Sequence, residues 1–428
     1  MRVQNSPVIV ESDAPVLPIC KDPIVIFCKD KEPDARIRPS RLTCVDLLRG
    51  AVMALMSLDH TRTFFTGLLV APEDLAHTSG SLFFTRFITY FCAPAFFLLA
   101  GAGGYLSLSQ GKSVAQVSRF FWTRGFWLVL LDLTVMAYAW TYVFPFWFSG
   151  VLWSLGWSMI VMALLVRLPL PWIAALGTGM VVTHNLLDGI NPAGFGKLAG
   201  LWLILHGHGS FWIEPGRSSF FVLFPLIPWV GVMAVGYALG ALLLRKDWRK
   251  QVFGIGAILT IAFLCLRIFH LYGNSQSSIA AGPWRMQATL TLTIVSFFDT
   301  LKYPPSLQFL LMTLGPSLMA LAWFDKINTE RGVAKILSRL GRVPLFYYVL
   351  HIYVIHALAV CAGLICGQKV AWLLYGGPML HLPPAGYGHG LPFIYAMWLA
   401  LVLLMYLPCK WFAEFKQLHS DWQWLRYM

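Results

Sequence analysis

The chain is a succession of long apolar runs separated by short polar or Pro/Gly-rich connections. Ten runs reach the length of about 20 helical residues that about 30 Å of hydrocarbon requires: 46–65, 82–107, 120–142, 147–166, 171–187, 219–244, 251–271, 305–323, 344–366 and 391–412. None alternates apolar with polar positions as a barrel strand does, and lipid leaves an open sheet edge unsatisfied, so each is expected to be a helix. The expected fold class is all-α, a polytopic integral membrane helical bundle of about ten transmembrane helices. Residues 1–44 carry Pro, Asp and Lys without helical periodicity and are expected to be a disordered cytosolic tail without a cleaved leader. The membrane domain is expected over 45–412 and a short cytosolic tail over 413–428. Residues 288–300 are apolar but too short to span before KYPPS, and are expected to lie in the interface or re-enter.

Composition supports a membrane protein. The chain is 58% apolar and 12% charged with a mean hydropathy of +0.67, against about 45–50% and about 25% in soluble domains. Soluble, collagenous, disordered and disulfide-stapled classes are excluded on these values. A net charge of +13 would point to nucleic acid in a soluble protein. Here placement explains it: with a cytosolic N-terminus, 22 of the 32 Lys and Arg fall on the inner side, five fall outside, and Arg49, Arg62, Arg86, Arg124 and Arg267 lie within runs. That asymmetry predicts both termini in the cytoplasm, a multi-pass protein of the inner (plasma) membrane, the lipid bilayer as partner and no nucleic acid. The eight Cys contain no CxxC pair, so neither a disulfide framework nor a zinc ribbon is indicated. Most of the Trp near run ends fit an aromatic belt.

Charges inside the runs are the candidate chemistry, because one at mid-bilayer costs about 2.5–3.5 kcal/mol on insertion. The first run, within RLTCVDLLRGAVMALMSLDHTRTFF, holds Asp46, Arg49, Asp59, His60 and Arg62. His60 lies about 16 Å above Arg49 and eleven steps of about 100° return it to nearly the same face, a cation at the foot and a titratable imidazole deep within. Imidazole can accept and return a proton near neutral pH when a neighbour fixes its tautomer. Asp59 points about 100° away and is expected to orient a partner helix or an acceptor rather than His60. Two readings remain open: a buried ion-pair network of Asp59, His60, Arg62 and Arg86 that only locks helices together, or a transporter or flippase for a carbohydrate or lipid that uses Asp59, His60 and Arg86 as a proton relay.

The spacing Arg49-x10-His60 after Asp46-Leu-Leu-Arg-Gly resembles the first-helix signature of acyltransferase-3 membrane acyltransferases. More closely, the chain resembles bacterial relatives in the heparan-alpha-glucosaminide N-acetyltransferase family. The segments that carry this likeness are the first run, LFFTRFITYFCAPAFFLLAGAGGYLS, GVLWSLGWSMI, FPLIPWVGVMAVGYALG, FFDTLKYPPSLQFLLMTLGP and GRVPLFYYVLHIYVIHALA, in order over residues 41–359. The resemblance implies acetyl transfer from cytosolic acetyl-CoA to a sugar amine or hydroxyl across the membrane, with His60 as catalytic histidine and His77 as a second candidate.

Acyl transfer needs a base or carrier, donors for an oxyanion and cations for the CoA phosphates. His60 with Asp59 and Arg86 is the expected catalytic group, with Thr85 beside Arg86. Arg49, Arg119, Arg124 and Arg342 are the candidate phosphate ligands, although the positive-inside rule would also account for them. In YYVLHIYVIH, His351 and His356 lie about 140° apart, so they form no metal pair. His351, beside Tyr347 or Tyr348, is expected at the cavity and His356 in the core. His351, Tyr348 and, in the loop 188–218, His206 and His208 are the expected acceptor contacts. No metal is expected, and a homo-oligomer is left open.

Overall fold

Helix α1 (Thr43–Phe65) runs 23 residues without a proline or a β-branched run and stops where Thr66 turns extended. The computed structural model describes residues 42–67, 71–274, 283–419 and 421–427. The tail expected over 1–44 falls, up to residue 41, outside the described residues. After α1 come α2 (Gly80–Phe87), α3 (Cys92–Ser109), α4 (Val114–Leu131), α5 (Ala137–Thr141), α6 (Val151–Leu165), α7 (Leu170–Thr183), α8 (Ala199–Leu205) and α9 (Leu226–Leu242). The rest are α10 (Trp248–Ile268), α11 (Leu290–Phe298), α12 (Leu307–Phe324), α13 (Gly332–Arg342), α14 (Pro344–Ile365), α15 (Ala371–Leu374), α16 (Gly377–Leu380) and α17 (Leu391–Leu418).

Each of the ten apolar runs contains helix, although not every one is a single unbroken helix. Among the described residues seven segments are long and apolar enough to cross a membrane: Gly80–Ser109, Val114–Thr141, Leu170–Leu187, Trp248–Ile268, Leu307–Phe324, Pro344–Ile365 and Leu391–Leu418. The other three runs correspond to the charge-bearing α1, to α6 with 15 residues and to α9 with 17. Helix α11, with 9 residues and about 14 Å of rise, is too short to span. Helix α17 continues through Pro408 to Leu418, beyond the expected end at 412.

Helix does not account for everything. The run expected as one helix over 219–244 divides: Ser218–Val222 is a strand, β3, and α9 begins only after Pro225. The Phe-Phe-Val sequence suits a half-buried pleated surface, and proline fits a helix start better than a helix interior. Strand β3 pairs antiparallel with β2 (Gly209–Glu214) and parallel with β1 (Phe148–Ser149), in the order β1-β3-β2. The Ser149 hydroxyl accepts from Leu223 N at 2.8 Å and Phe224 N at 3.1 Å, which ties the sheet to the start of α9. The fold is therefore mostly helical with one small sheet. Between α4 and α5 a π-helical stretch, Asp132–Met136, points the Asp132 carboxylate at the N-terminus of α6, where it accepts from Trp153 N at 3.1 Å. An anion there satisfies orphan amide donors and the positive end of the helix dipole.

Helix α1 is wrapped by α3, α12, α13, α14 and α17. Its contact with α13 is backbone on backbone: a Cβ on Gly50 would lie 1.7 Å from Leu337 O, and one on Gly341 1.8 Å from Asp46 O. The neighbours of these glycines in sequence, Arg49 and Arg342, line one cavity. Gly341→Val is expected to lower stability by about 1–3 kcal/mol or more through overpacking, measured by thermal unfolding in detergent. Gly254→Ala on α10, where an added Cβ meets nothing within 4 Å, serves as the control and leaves the transition in place.

Candidate functional site

Two cavities follow one another along α1, and a third adjoins the second beyond the end of that helix. The first, about 360 Å³, surrounds the foot of the helix and is lined by Arg49, Arg124 of α4, Arg342 of α13 and Lys416 of α17 among apolar walls. Arg49 Nη2 donates to Leu99 O at 3.1 Å. The buried Arg342 Nε has no hydrogen-bond partner among the described residues. Phe96, Val151 and Tyr348 belong both to this cavity and to the next, of about 390 Å³, which holds Asp59, His60, Trp140, Arg86 and Lys302. Arg86, Lys302 and Tyr303 in turn are shared with a third cavity of about 960 Å³, lined by Glu73, Asp74, Asp188, Asp299, Trp202, His206 and His208.

The imidazole of His60 is held by α14. Ser57 and His60 are three apart on α1, Tyr347 and His351 four apart on α14, so each pair presents one face to the other. Tyr347 OH donates to Ser57 Oγ at 2.9 Å, and His60 Nδ1 lies 2.8 Å from His351 Nε2. His351 Nδ1 lies 2.9 Å from Tyr347 O. A carbonyl only accepts, so His351 Nδ1 carries the proton and, in the neutral ring, His351 Nε2 is an acceptor. His60 Nδ1 is then the donor, and its Nε2 keeps a free lone pair. Trp140 meets His60 edge-on with centroids 4.9 Å apart and limits its rotation.

Asp59 does not touch His60. Its carboxylate pairs with Arg86 Nη1 at 2.6 Å and Arg62 Nη2 at 3.1 Å, tying α1 to α2. Arg86 Nε also meets Glu73 Oε1 at 3.0 Å, which accepts from Tyr90 OH at 2.9 Å. Burial alone would raise the Glu73 pKa, but Arg86 and the Tyr90 hydrogen bond outweigh it and hold the carboxyl below its ordinary value. Burial, with the Arg86 charge adding to it, pushes Lys302 down to about 8 against the pull of Asp59 and Glu73. In the outer cavity burial, then the Glu73 charge, raises Asp299 to about 8, and burial lowers His208.

Several expected site residues stand elsewhere. Arg119 is exposed in a separate groove with Trp122 and Arg167. It and Arg124 are five residues apart, about 140° around α4, and cannot both face the slot. His351 is fully buried behind His60 rather than at a cavity wall, while Tyr348 lines both inner cavities. His206 and His208 line the outer cavity, with His206 Nε2 2.9 Å from Asp188 Oδ1. His77 is exposed and bonded to Asp74 at 2.8 Å. His356 is buried with ring nitrogens 2.9 Å and 2.8 Å from the Ala139 and Leu373 carbonyls. Thr85 turns from the cavity to Tyr395 OH at 2.7 Å. Sequence reasoning missed Glu73, Trp140, Lys302 and Lys416 as site residues. A lysine between a too-short apolar helix and two prolines was the available signal for Lys302. Among the described residues no group of three or more His, Cys, Asp and Glu is arranged to hold a metal ion.

Residues 41–268, just over half of the chain, match the family model described as heparan-alpha-glucosaminide N-acetyltransferase, catalytic. No curated protein matches the chain significantly. The matched segment contains Arg49, Asp59, His60, Arg86 and Arg124; Lys302, Arg342, Tyr348, His351 and Lys416 follow it.

The tautomer is directly measurable. In protein labelled with ¹⁵N-histidine, the His60 signal, identified by its loss in His60→Ala, is expected to show a protonated Nδ1 and an unprotonated Nε2. His351→Phe removes the acceptor and is expected to let the two His60 tautomers mix; an unchanged His60 signal in that variant would refute the assigned hydrogen bond.

Proposed function

The chain belongs to the heparan-alpha-glucosaminide N-acetyltransferase catalytic family, a family of acetyltransferases. From that premise we propose that it is a membrane-embedded acyltransferase, which moves an acetyl group from cytosolic acetyl-CoA to a sugar amine or hydroxyl on the other side of the membrane. The observation that carries this reading is the sharing of Phe96, Val151 and Tyr348 between the four-cation cavity and the His60 cavity. A phosphorylated donor bound at one end can thus present its thioester at the other.

In this reading all ten apolar helices cross the inner (plasma) membrane, with the Arg49 end of α1 in the cytosol, where the positive-inside excess places it. Arg49, Arg124, Arg342 and Lys416 hold the CoA phosphates; guanidinium forks suit phosphate, and the unpartnered Arg342 Nε offers a donor. The acceptor enters through the outer cavity, past His206 and His208. His60 Nε2 takes a proton from the acceptor as its nitrogen or oxygen bonds to the acyl carbon. The carbonyl electron pair moves to oxygen, then returns as the carbon–sulfur bond breaks, and His60 gives its proton to the departing sulfur. His351 holds the His60 ring throughout and is a positioning residue. Asp59 keeps Arg86 at the cavity wall. A proton-coupled transporter could use Asp59, His60 and Arg86 as well, but the cation cluster at one end of the path favours a phosphorylated donor.

His60→Ala is expected to cut CoA release from radiolabelled acetyl-CoA by about 10²–10⁴-fold; wild-type rates in that variant would sink the reading. Arg342→Gln is expected to lose about 1.5–3 kcal/mol of charged hydrogen bonding, a roughly 10- to 150-fold rise in KM for acetyl-CoA with kcat little changed. Arg119→Gln leaves KM as it is.

A further inference from the structure

The middle and outer cavities meet at Arg86, Lys302 and Tyr303. Of the two cations there, Arg86 is already engaged by Asp59 at 2.6 Å and Glu73 at 3.0 Å. Lys302 is not. Its ammonium sits over the rings of Tyr90, 5.0 Å from the centroid, and of Tyr303, 5.2 Å, and makes no hydrogen bond or ion pair among the described residues. The charged and titratable groups facing it are Asp59 and His60 from α1, Glu73 from the α1–α2 connection, Arg86 from α2, Tyr90 from the α2–α3 turn, Cys92 from α3 and its neighbour Tyr303. Both carboxylates among them are bonded to Arg86, and Asp59 to Arg62 as well. The junction therefore holds one positive charge in excess, on a half-buried side chain that lines both cavities. Holding an uncompensated cation there costs free energy unless a negative charge appears beside it.

We propose that Lys302 is a catalytic residue that receives the negative charge formed on the acyl oxygen during transfer. The proposal rests on the acetyl-transfer reading above. As the acceptor bonds to the acyl carbon, the carbonyl π pair moves to oxygen and Lys302 Nζ–H donates to it. As the carbon–sulfur bond breaks, that pair returns to the carbonyl, the proton held by His60 passes to sulfur, and Lys302 remains the ammonium it was. A preorganised donor of this kind needs no reorganisation as charge develops. Arg86 is less suited, since two carboxylates already neutralise it. Lys302 acts only as the ammonium, and burial with the Arg86 charge brings its pKa down to about 8. Turnover is accordingly present below that pH and lost as pH rises through it. Arginine keeps its charge over the whole range.

The test uses the full chain in detergent, acetyl-CoA as donor and glucosamine as probe acceptor, with CoA release read from pH 6 to 10. Lys302→Met is expected to lower kcat about 10²–10³-fold, the range for loss of one oxyanion donor, with KM for acetyl-CoA unchanged. Lys302→Arg is expected to keep most of the activity and to lose the alkaline fall of the wild type. Acetyl-CoA binding by each variant checks that it is folded, and a Lys302→Met protein that does not bind leaves the pH profile of Lys302→Arg as the deciding measurement. Wild-type turnover with an unimpaired Lys302→Met, or with the same alkaline fall in Lys302→Arg, overturns this inference alone. No CoA release by any of the three proteins overturns the acetyl-transfer reading, and this inference with it.

Discussion

Helix α1 cannot face lipid. It carries Asp46, Arg49, Asp59, His60 and Arg62 along an otherwise apolar 23-residue segment, and hydrocarbon offers none of them a partner. The arrangement around it follows from that constraint. Helices α3, α12, α13, α14 and α17 pack on α1, and α13 comes close enough that two glycines touch backbone to backbone. Arg62, Asp59 and Arg86 satisfy one another in a chain that reaches Glu73. The outer helices turn plain aliphatic faces outward, as with Ile258, Ile261, Leu403 and Leu407.

Enclosing α1 also fixes how its chemistry is presented. Two bonds, Ser57 to Tyr347 and His60 to His351, clamp α1 against α14. A pair of contacts one helical turn apart sets the register of the helices, and through the Tyr347 carbonyl it also sets which His60 nitrogen carries a proton. The segment that matches the family model ends before α14, so the matched part supplies the imidazole and the C-terminal part decides its state.

Local pattern made the helices legible. Every apolar run contains one because length and hydropathy are properties of a single segment. The strand at 218–222 is hidden in the sequence because four of its five residues form the start of the apolar run 219–244. Arg49, Arg124, Tyr348 and His60 could be singled out from the type of residue and its depth along a run. The His60–His351 bond joins residues 291 apart, and no periodicity within either helix encodes which face meets which. Arg119 was misplaced although its angle from Arg124 could have been drawn from helical geometry. Lys302 is one of the five charges that the sequence places outside, and only the folded connection between α11 and α12 turns it inward; Lys416 follows the last apolar run on the inner side, and only the continuation of α17 brings it to the cavity.

Cavities in series through a bilayer are also a route by which water, and protons with it, could cross. A membrane that stores energy as a proton gradient tolerates no such short circuit. The junction of the middle and outer cavities is bordered by Lys302, whose ammonium pairs with no carboxylate among the described residues, and a positive charge on such a path repels hydronium much as it does in water-selective pores. In the proposed acyltransferase, that one side chain would then act as an electrical seal, letting a neutral acceptor approach His60 while the gradient across the bilayer stays intact.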